Sequence, residues 1–340
     1  MADIYIAWVP GLLEDQAALR ELKDSGLVTG IEMSRVHDNI DNIKRSGLKL
    51  SLHNPGVEAS PNLADPDLEC IFAGDTGLRL LEAIQKSDNP YVGYHCGYSA
   101  EKIYKATAFP DIPYSDTLIH DRELLLSRMS ANFAFLEHRI NAKLPVSKRK
   151  RLLLESMDYS RERPIDWSIQ RYIPTGDRDL VQGILRQYGV NAAFRYVTEL
   201  DFIREILDKT SAGMSFAPGY LFDVAHVFIT ADAKISEKKF TGTIGDFFAE
   251  YVHMLGDRTF QLHLNVPVGD DETGYADGHR FFSPGEPLSD FVMDLAKFVC
   301  KKCDNLDCIN LEMGRARLRP DLYVKKMIQQ AEYVSKELAL

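Results

Sequence analysis

Several features of membrane, secreted and disulfide-rich proteins are missing from this 340-residue sequence. It contains no run of about eighteen apolar residues, the length that indicates a transmembrane helix. Residues 1–16 lack the basic segment that opens a secretory signal, and acidic residues appear early. The five cysteines are too few for a disulfide framework in so long a chain. We therefore expect a cytoplasmic protein that does not associate with a membrane.

Excess positive charge is also missing. The chain has 40 Lys and Arg against 50 Asp and Glu, which gives a net charge of −10. Proteins that hold duplex DNA usually present a basic face, because neutralising phosphates supplies much of their affinity. The acidity of this chain therefore argues against duplex DNA as a partner.

Short apolar segments alternate with amphipathic helical patterns along the whole chain. Helical periodicity is clear at residues 12–26, 76–87, 199–213 and 288–302. Eight repeats of strand and helix predict a closed (β/α)8 TIM barrel that forms one domain over residues 1–340. An open doubly wound sheet is the alternative, but no glycine-rich phosphate-binding motif follows the first strand. The eight predicted strands are residues 4–9, 28–33, 48–53, 91–95, 151–156, 220–227, 260–266 and 308–313.

Two connections are longer than a barrel needs. Residues 106–150 follow the fourth predicted strand and residues 157–198 follow the fifth, and both are polar and rich in Pro, Tyr and Arg. Loops that follow barrel strands build the active face, so these insertions are expected to lie over that face or beside it.

Imidazoles and carboxylates occur at the C-terminal ends of six predicted strands or in the loop that follows. TIM-barrel enzymes place their catalytic residues at this end of the barrel. Nine nitrogen and oxygen donors are more than one ion can bind, so they suit two or three divalent ions, either zinc, iron or manganese. The predicted ligands are His53, His95, Glu155, Asp223, His226, His263, Asp277, His279 and Glu312.

The motifs around these residues resemble a known metal site. In chain order, HNPG, YHCG, LLLES, FDVAH, HLN, ADGH and NLE are similar to the metal motifs of endonuclease IV, within the xylose-isomerase-like barrel superfamily. The resemblance implies hydrolysis of a phosphoester by a metal-activated water. Glu155 and Glu312 would be catalytic, the first as a bridge between two ions and the second by placing the water. It implies one ion at His53 and His95, a second at Asp223, His263 and Glu312, and a third at His226, Asp277 and His279.

Three alternatives stay open. Residues 198–231 resemble the multinuclear non-haem iron oxidases that modify cysteines of small peptides, although those enzymes tend to have asparagine at the position of His226. Sugar isomerases and epimerases of the superfamily use four ligands, which correspond to Glu155, Asp223, His263 and Glu312. A metal-dependent binding protein without catalysis is the third. The expected substrate is accordingly a small phosphoester, a single-stranded nucleic acid or a peptide.

Two further features have open interpretations. Glu32 lies near the end of the second predicted strand and is either a carboxylate that orients a histidine ligand or an ordinary strand-end acid. Cys300 and Cys303 have the spacing of zinc ligands, but they lie at the end of a predicted helix without a second pair, so plain thiols are expected.

Overall fold

Eight parallel strands close into a barrel in the computed structural model, which describes residues 2–36, 39–56, 61–104, 112–113, 117–161, 194–212, 214–314 and 318–339. The first barrel strand pairs with the last, and this parallel pairing closes the sheet. The predicted (β/α)8 barrel is therefore confirmed. The barrel strands are β1 (Asp3–Ala7), β2 (Gly30–Arg35), β3 (Lys49–Gly56), β4 (Tyr91–His95), β7 (Arg151–Glu155), β8 (Gly219–Asp223), β9 (Thr259–Leu264) and β12 (Cys308–Leu311).

Helices surround the barrel, and two short antiparallel hairpins lie outside it. None of the helices in the described ranges is both long enough and apolar enough to cross a membrane. The hairpins are β5 (Ile103–Tyr104) with β6 (Ile112–Pro113), and β10 (Val266–Asp270) with β11 (Gly274–Arg280). The helices are α1 (Gln16–Asp24), α2 (Asp41–Arg45), α3 (Gly74–Lys86), α4 (Arg122–Asn141), α5 (Leu200–Ser211), α6 (Val224–Ser236), α7 (Ile244–Leu255), α8 (Pro287–Lys302) and α9 (Pro320–Leu338).

Alternation along the strands separates an outer apolar layer from the barrel interior. In β7, Leu152 and Leu154 belong to the large core shared with the helices, whereas Leu153 belongs to a small cluster with Tyr5, Tyr91, Leu221 and Cys308. Successive side chains of a strand point to opposite faces, so Leu153 and Glu155 share the interior face. The same alternation places Leu221 and Asp223 of β8 inside.

The predicted strand at residues 220–227 is wrong beyond Asp223. The strand ends there because the Asp223 side chain caps α6, with Oδ1 accepting a hydrogen bond from the backbone N–H of His226 at 2.8 Å. Helix α6 is buried on nearly every side, so its sequence lacks the polar face that marks an exposed helix. A short apolar segment of this kind is equally typical of a buried strand.

The two long connections are described to different extents. Most of residues 117–150 forms α4, a barrel helix that packs against α3 and α5. Residues 162–193 of the second connection lie outside the described residues, and its position over the active face remains a prediction. Its first part does reach the rim, since Arg161 donates a hydrogen bond to the carbonyl of Asp271 at 2.9 Å. The assignment of residues 1–340 to one domain also remains a prediction.

Candidate metal centre

The sheet register brings predicted ligands of neighbouring strands side by side. His95 is paired with Glu155, and Asp223 with His263. Gly93 of β4 makes room for this arrangement, because a Cβ atom there would lie 2.7 Å from Leu221 Cδ1 and 3.0 Å from His53 Cδ2. The parallel strands therefore deliver their last interior side chains to one end of the barrel.

Glu155 lies at the centre of three histidines and is fully buried. Its Oε2 atom is 2.5 Å from His53 Nε2 and 3.5 Å from His95 Nε2, while Oε1 is 3.2 Å from His226 Nδ1. The two oxygens of this carboxylate thus face different histidines.

His263 joins two more acids at the same end of the barrel. Its Nδ1 atom is 3.0 Å from Glu312 Oε2 and 3.9 Å from Asp223 Oδ2. One ligand atom each from Glu155, Asp223 and His263 lie within 4.8 Å of one another, and so do atoms of His53, His95 and Glu155. Glu155 belongs to both groups. Each group can hold a metal ion.

The third predicted group involves the β10–β11 hairpin. Asp277 Oδ2 is 3.0 Å from His279 Nε2 and 3.6 Å from His226 Nε2. The Nδ1 atom of His226 is 3.0 Å from the carbonyl oxygen of Ser156, and that of His279 is 2.9 Å from the carbonyl oxygen of Glu312. A carbonyl oxygen accepts a hydrogen bond from a protonated nitrogen, so Nδ1 carries the proton in both rings. The other nitrogen, Nε2, then faces Asp277.

Two neighbouring acids of the centre have pKa values shifted in opposite directions. Burial raises the pKa of Asp223 above its ordinary value. Burial also acts to raise the pKa of Glu155, but the charges of His53 and His95 outweigh it and hold that pKa well below its usual range. Glu155 is therefore ionised near neutral pH. Opposite shifts in neighbouring acids are typical of functional sites.

Several ligand atoms accept no hydrogen bond from the part of the chain that the structure describes. Both oxygens of Glu155, Oδ2 of Asp223 and Oδ1 of Asp277 are buried without a hydrogen bond of acceptable geometry. Leaving such oxygens unsatisfied is costly, and divalent cations satisfy carboxylates of this kind. All nine predicted residues meet at one end of the barrel, and their nitrogen and oxygen donors suit zinc, iron, manganese or magnesium. The number and identity of the ions remain predictions, as does the endonuclease IV-like assignment.

Three neighbours of the centre were left open or missed by the sequence analysis. Glu32 contacts His263, with Oε1 2.9 Å from Nε2, so its orienting role is the better interpretation. Asn54 Nδ2 lies 3.1 Å from His95 Nδ1, and its position next to His53 in HNPG was the available signal. Asp158 is buried close to His226 and Asp277, and burial raises its pKa. The spacing of Asp158 from Glu155 is not a metal-ligand motif, so the sequence carries no signal for this residue.

Comparison with known proteins gives the fold. No family model and no curated protein matches this sequence. Among solved structures, D-allulose 3-epimerase from Methylomonas sp. aligns with a TM-score of 0.55 at 12% identity, over 99% of this chain and 98% of that one. A xylose isomerase domain containing protein from Salmonella typhimurium LT2 gives 0.52 at 12% identity, over 100% and 98%. A xylose isomerase-like TIM barrel protein from Mycobacterium smegmatis, in complex with magnesium, gives 0.50 at 9% identity, over 99% and 98%.

These identities establish a common architecture and nothing finer. The neighbours are sugar epimerases and xylose isomerase-like proteins, and they match this chain over almost its whole length. This chain has the fold of the xylose-isomerase-like TIM barrels.

Proposed function

We propose that the protein is a metal-dependent enzyme in which Glu155 bridges two divalent ions. The observation that carries this proposal is that the buried Glu155 belongs to two groups of potential ligands, one with His53 and His95 and the other with Asp223 and His263. Asp223, His263 and Glu312 would hold one ion, and His53 and His95 the other. When bound, such ions act as Lewis acids on a water or on a carbonyl or phosphoryl oxygen.

The comparisons favour isomerisation or epimerisation of a small sugar as the reaction class. Four residues on consecutive interior strand ends, Glu155, Asp223, His263 and Glu312, correspond to the set that sugar isomerases of this fold use. Glu155 supplies one carboxylate, and Glu312 supplies a second one, three strands away at the end of β12. A pair of carboxylates suits proton transfer beside a carbonyl group.

Hydrolysis of a phosphoester is the second candidate, and a specific observation favours it. An isomerase with the four-residue set has no evident use for the imidazoles of His53, His95 and His226, yet all three face Glu155 within 3.5 Å. Centres with several ions stabilise both the attacking and the leaving oxygen of a phosphoester. The net charge of −10 makes a small phosphoester or a single strand a better substrate than a duplex.

Metal content separates these candidates. Protein purified without chelator is analysed by native mass spectrometry and by elemental analysis. Two or three ions per chain would support the bridging role of Glu155, whereas a single ion that persists in His53→Ala and His95→Ala would support the four-residue site. No bound ion after addition of zinc, manganese, iron or magnesium would contradict the proposal.

Substrate panels then test the reaction class. Ketoses and aldoses are assayed for interconversion with manganese or magnesium, and phosphomonoesters and phosphodiesters for hydrolysis with zinc or manganese. Glu155→Gln is expected to abolish either activity, because it removes the proposed bridge. A visible absorption band in iron-loaded protein, with oxygen consumed in the presence of a cysteine-containing peptide, would instead support an oxidase.

A further inference from the structure

A buried carboxylate occupies the barrel interior directly below the metal centre. Glu32 of β2 is only 4% exposed, and its oxygens are surrounded by hydrogen-bond donors. Oε2 accepts hydrogen bonds from Ser51 Oγ at 2.9 Å and from Gln261 Nε2 at 2.6 Å. Oε1 accepts from Asn310 Nδ2 at 2.5 Å and lies 2.9 Å from His263 Nε2. An acceptor bound by this many donors is an ionised carboxylate.

His263 stands between Glu32 and the metal centre, and its two nitrogens have different neighbours. Nε2 faces Glu32, while Nδ1 faces Glu312 Oε2 at 3.0 Å and Asp223 Oδ2 at 3.9 Å. Two acceptors at 2.9 Å would repel each other, so a proton must lie between Nε2 and Oε1. The same argument places a proton between Nδ1 and Glu312 Oε2 while no ion is bound, and an ion held by Glu312 would replace that proton on Nδ1. The Gln261 amide, 3.2 Å from Nε2, already donates to Glu32.

We propose that Glu32 is a positioning residue that keeps the proton of His263 on Nε2 and thereby directs Nδ1 to the ion shared with Asp223 and Glu312. This inference rests on the proposed metal-dependent function and specifies how one of its ligands is prepared. The tautomer proposed for His263 is the opposite of that of His226 and His279, whose Nδ1 atoms are paired with backbone carbonyls. A hydrogen-bonded outer carboxylate commonly fixes the tautomer of a ligand histidine.

A competing role for Glu32 has to be distinguished. Glu32, His53 and His263 also place ligand atoms within 4.8 Å of one another, so Glu32 could itself be a metal ligand. The four donors around its carboxylate argue for the positioning role. The two roles differ in the quantity they change, because a ligand alters the number of bound ions and a positioning residue alters their affinity.

The test combines nitrogen NMR of protein labelled with 15N-histidine, assigned with His263→Gln, and zinc titrations against a competing chelator. In the wild type, His263 is expected to carry its proton on Nε2 and to show a zinc-induced shift of Nδ1. In Glu32→Gln we expect mixed tautomers and an affinity lower by about 10- to 100-fold. The number of zinc ions at saturation should not change. Ser51→Ala, which removes one donor to Glu32 and leaves its contact with His263, is the matched control and should retain the wild-type tautomer.

Two results would overturn the inference: a neutral His263 ring that carries its proton on Nδ1 in the wild type, or the loss of one whole ion per chain in Glu32→Gln. The wild-type spectrum decides the first point even if the variant does not fold. A wild type that binds no zinc would contradict the proposed function instead. In that case the tautomer of His263, read in metal-free protein at alkaline pH where imidazoles are neutral, still decides the role of Glu32.

Discussion

Buried charges are accommodated in opposite ways at the two ends of the barrel. At the N-terminal end, the ammonium group of Lys150 is buried and donates to the carbonyls of Ser87 and Asn89, both at 2.7 Å. At the C-terminal end, Glu155 and Asp223 have buried oxygens that accept no hydrogen bond from residues in the described ranges. The chain supplies the partners of the lysine, whereas the acids present acceptors that suit a cation. This difference matches the division of TIM barrels into an end for stability and an end for chemistry.

The comparison predicts that acids of the C-terminal end weaken the metal-free barrel. Asp223→Asn keeps the oxygen that caps α6 but removes the negative charge. We expect Asp223→Asn to lose the ion held with His263 and Glu312. When metal is present, this variant should unfold at a lower temperature than the wild type, because bound metal stabilises the folded state. With chelator, Asp223→Asn should be at least as stable as the wild type. The substitution then removes a buried negative charge that no bound cation compensates.

Thermal unfolding with and without metal measures this effect. Asp223→Ala serves as the companion variant because it also removes the helix cap, which is worth about 0.5–2 kcal/mol. It should therefore be less stable than Asp223→Asn under both conditions. Equal metal content in Asp223→Asn and the wild type would remove Asp223 from the set of ligands.

A second prediction concerns the histidine side of Glu155. His95→Ala should lower the metal content by one ion per chain, because only His53 and Glu155 would remain in that group. The fold should change little, since His95 lies at the end of β4 and is partly exposed. Elemental analysis of the purified variant gives the measurement. His138→Ala, an exposed histidine on α4, is the control and should keep the wild-type content.

A third prediction tests the N-terminal end. Lys150→Met leaves the carbonyls of Ser87 and Asn89 without their donor, which should lower the free energy of unfolding by about 1–3 kcal/mol. Urea unfolding measures this loss. Metal content should stay at the wild-type value, because Lys150 lies at the opposite end from the proposed ligands. A change in metal content would break the division between the two ends.

The difference in stability between the wild type and Lys150→Met should also depend on pH. Burial lowers the pKa of Lys150 from 10.5 to about 8, so between these values the unfolded chain binds the proton and the folded chain does not. Stability from this group therefore rises with pH through that window. The unfolding free energy of the wild type minus that of Lys150→Met should increase from about pH 8 upwards. A flat difference would show that the carbonyl contacts keep the ammonium charged.

The smallest expected effect is at the cysteines. Cys300→Ser should leave metal content unchanged, because Cys300 lies at the end of α8 and burial raises its pKa to about 12, which disfavours the thiolate that binds metals. Elemental analysis beside the wild type is sufficient. A loss of zinc in this variant would restore the pair of Cys300 and Cys303 as a site.

The sequence predicted the barrel and the convergence of the nine side chains, because strand order and alternation determine where strand ends meet. It did not predict that the chain turns from strand to helix at Asp223, since a fully buried helix has no polar face. It also left Glu32 undecided, because its four donors come from β3, β9 and β12 and meet only in the closed barrel. Contacts of this kind depend on register, which a single sequence does not specify.

The cap at Asp223 has a consequence for transplanting this centre to another barrel. One oxygen of this carboxylate holds the backbone of His226, while the other faces the metal site, so the ligand and the helix start are one unit. Each residue added to a helix turns the next side chain by about 100°, so one residue inserted between Asp223 and His226 would swing the imidazole away from Asp277. A designer would have to graft the whole strand-to-helix corner with its three-residue spacing, because nine correctly chosen side chains on a foreign backbone would not meet.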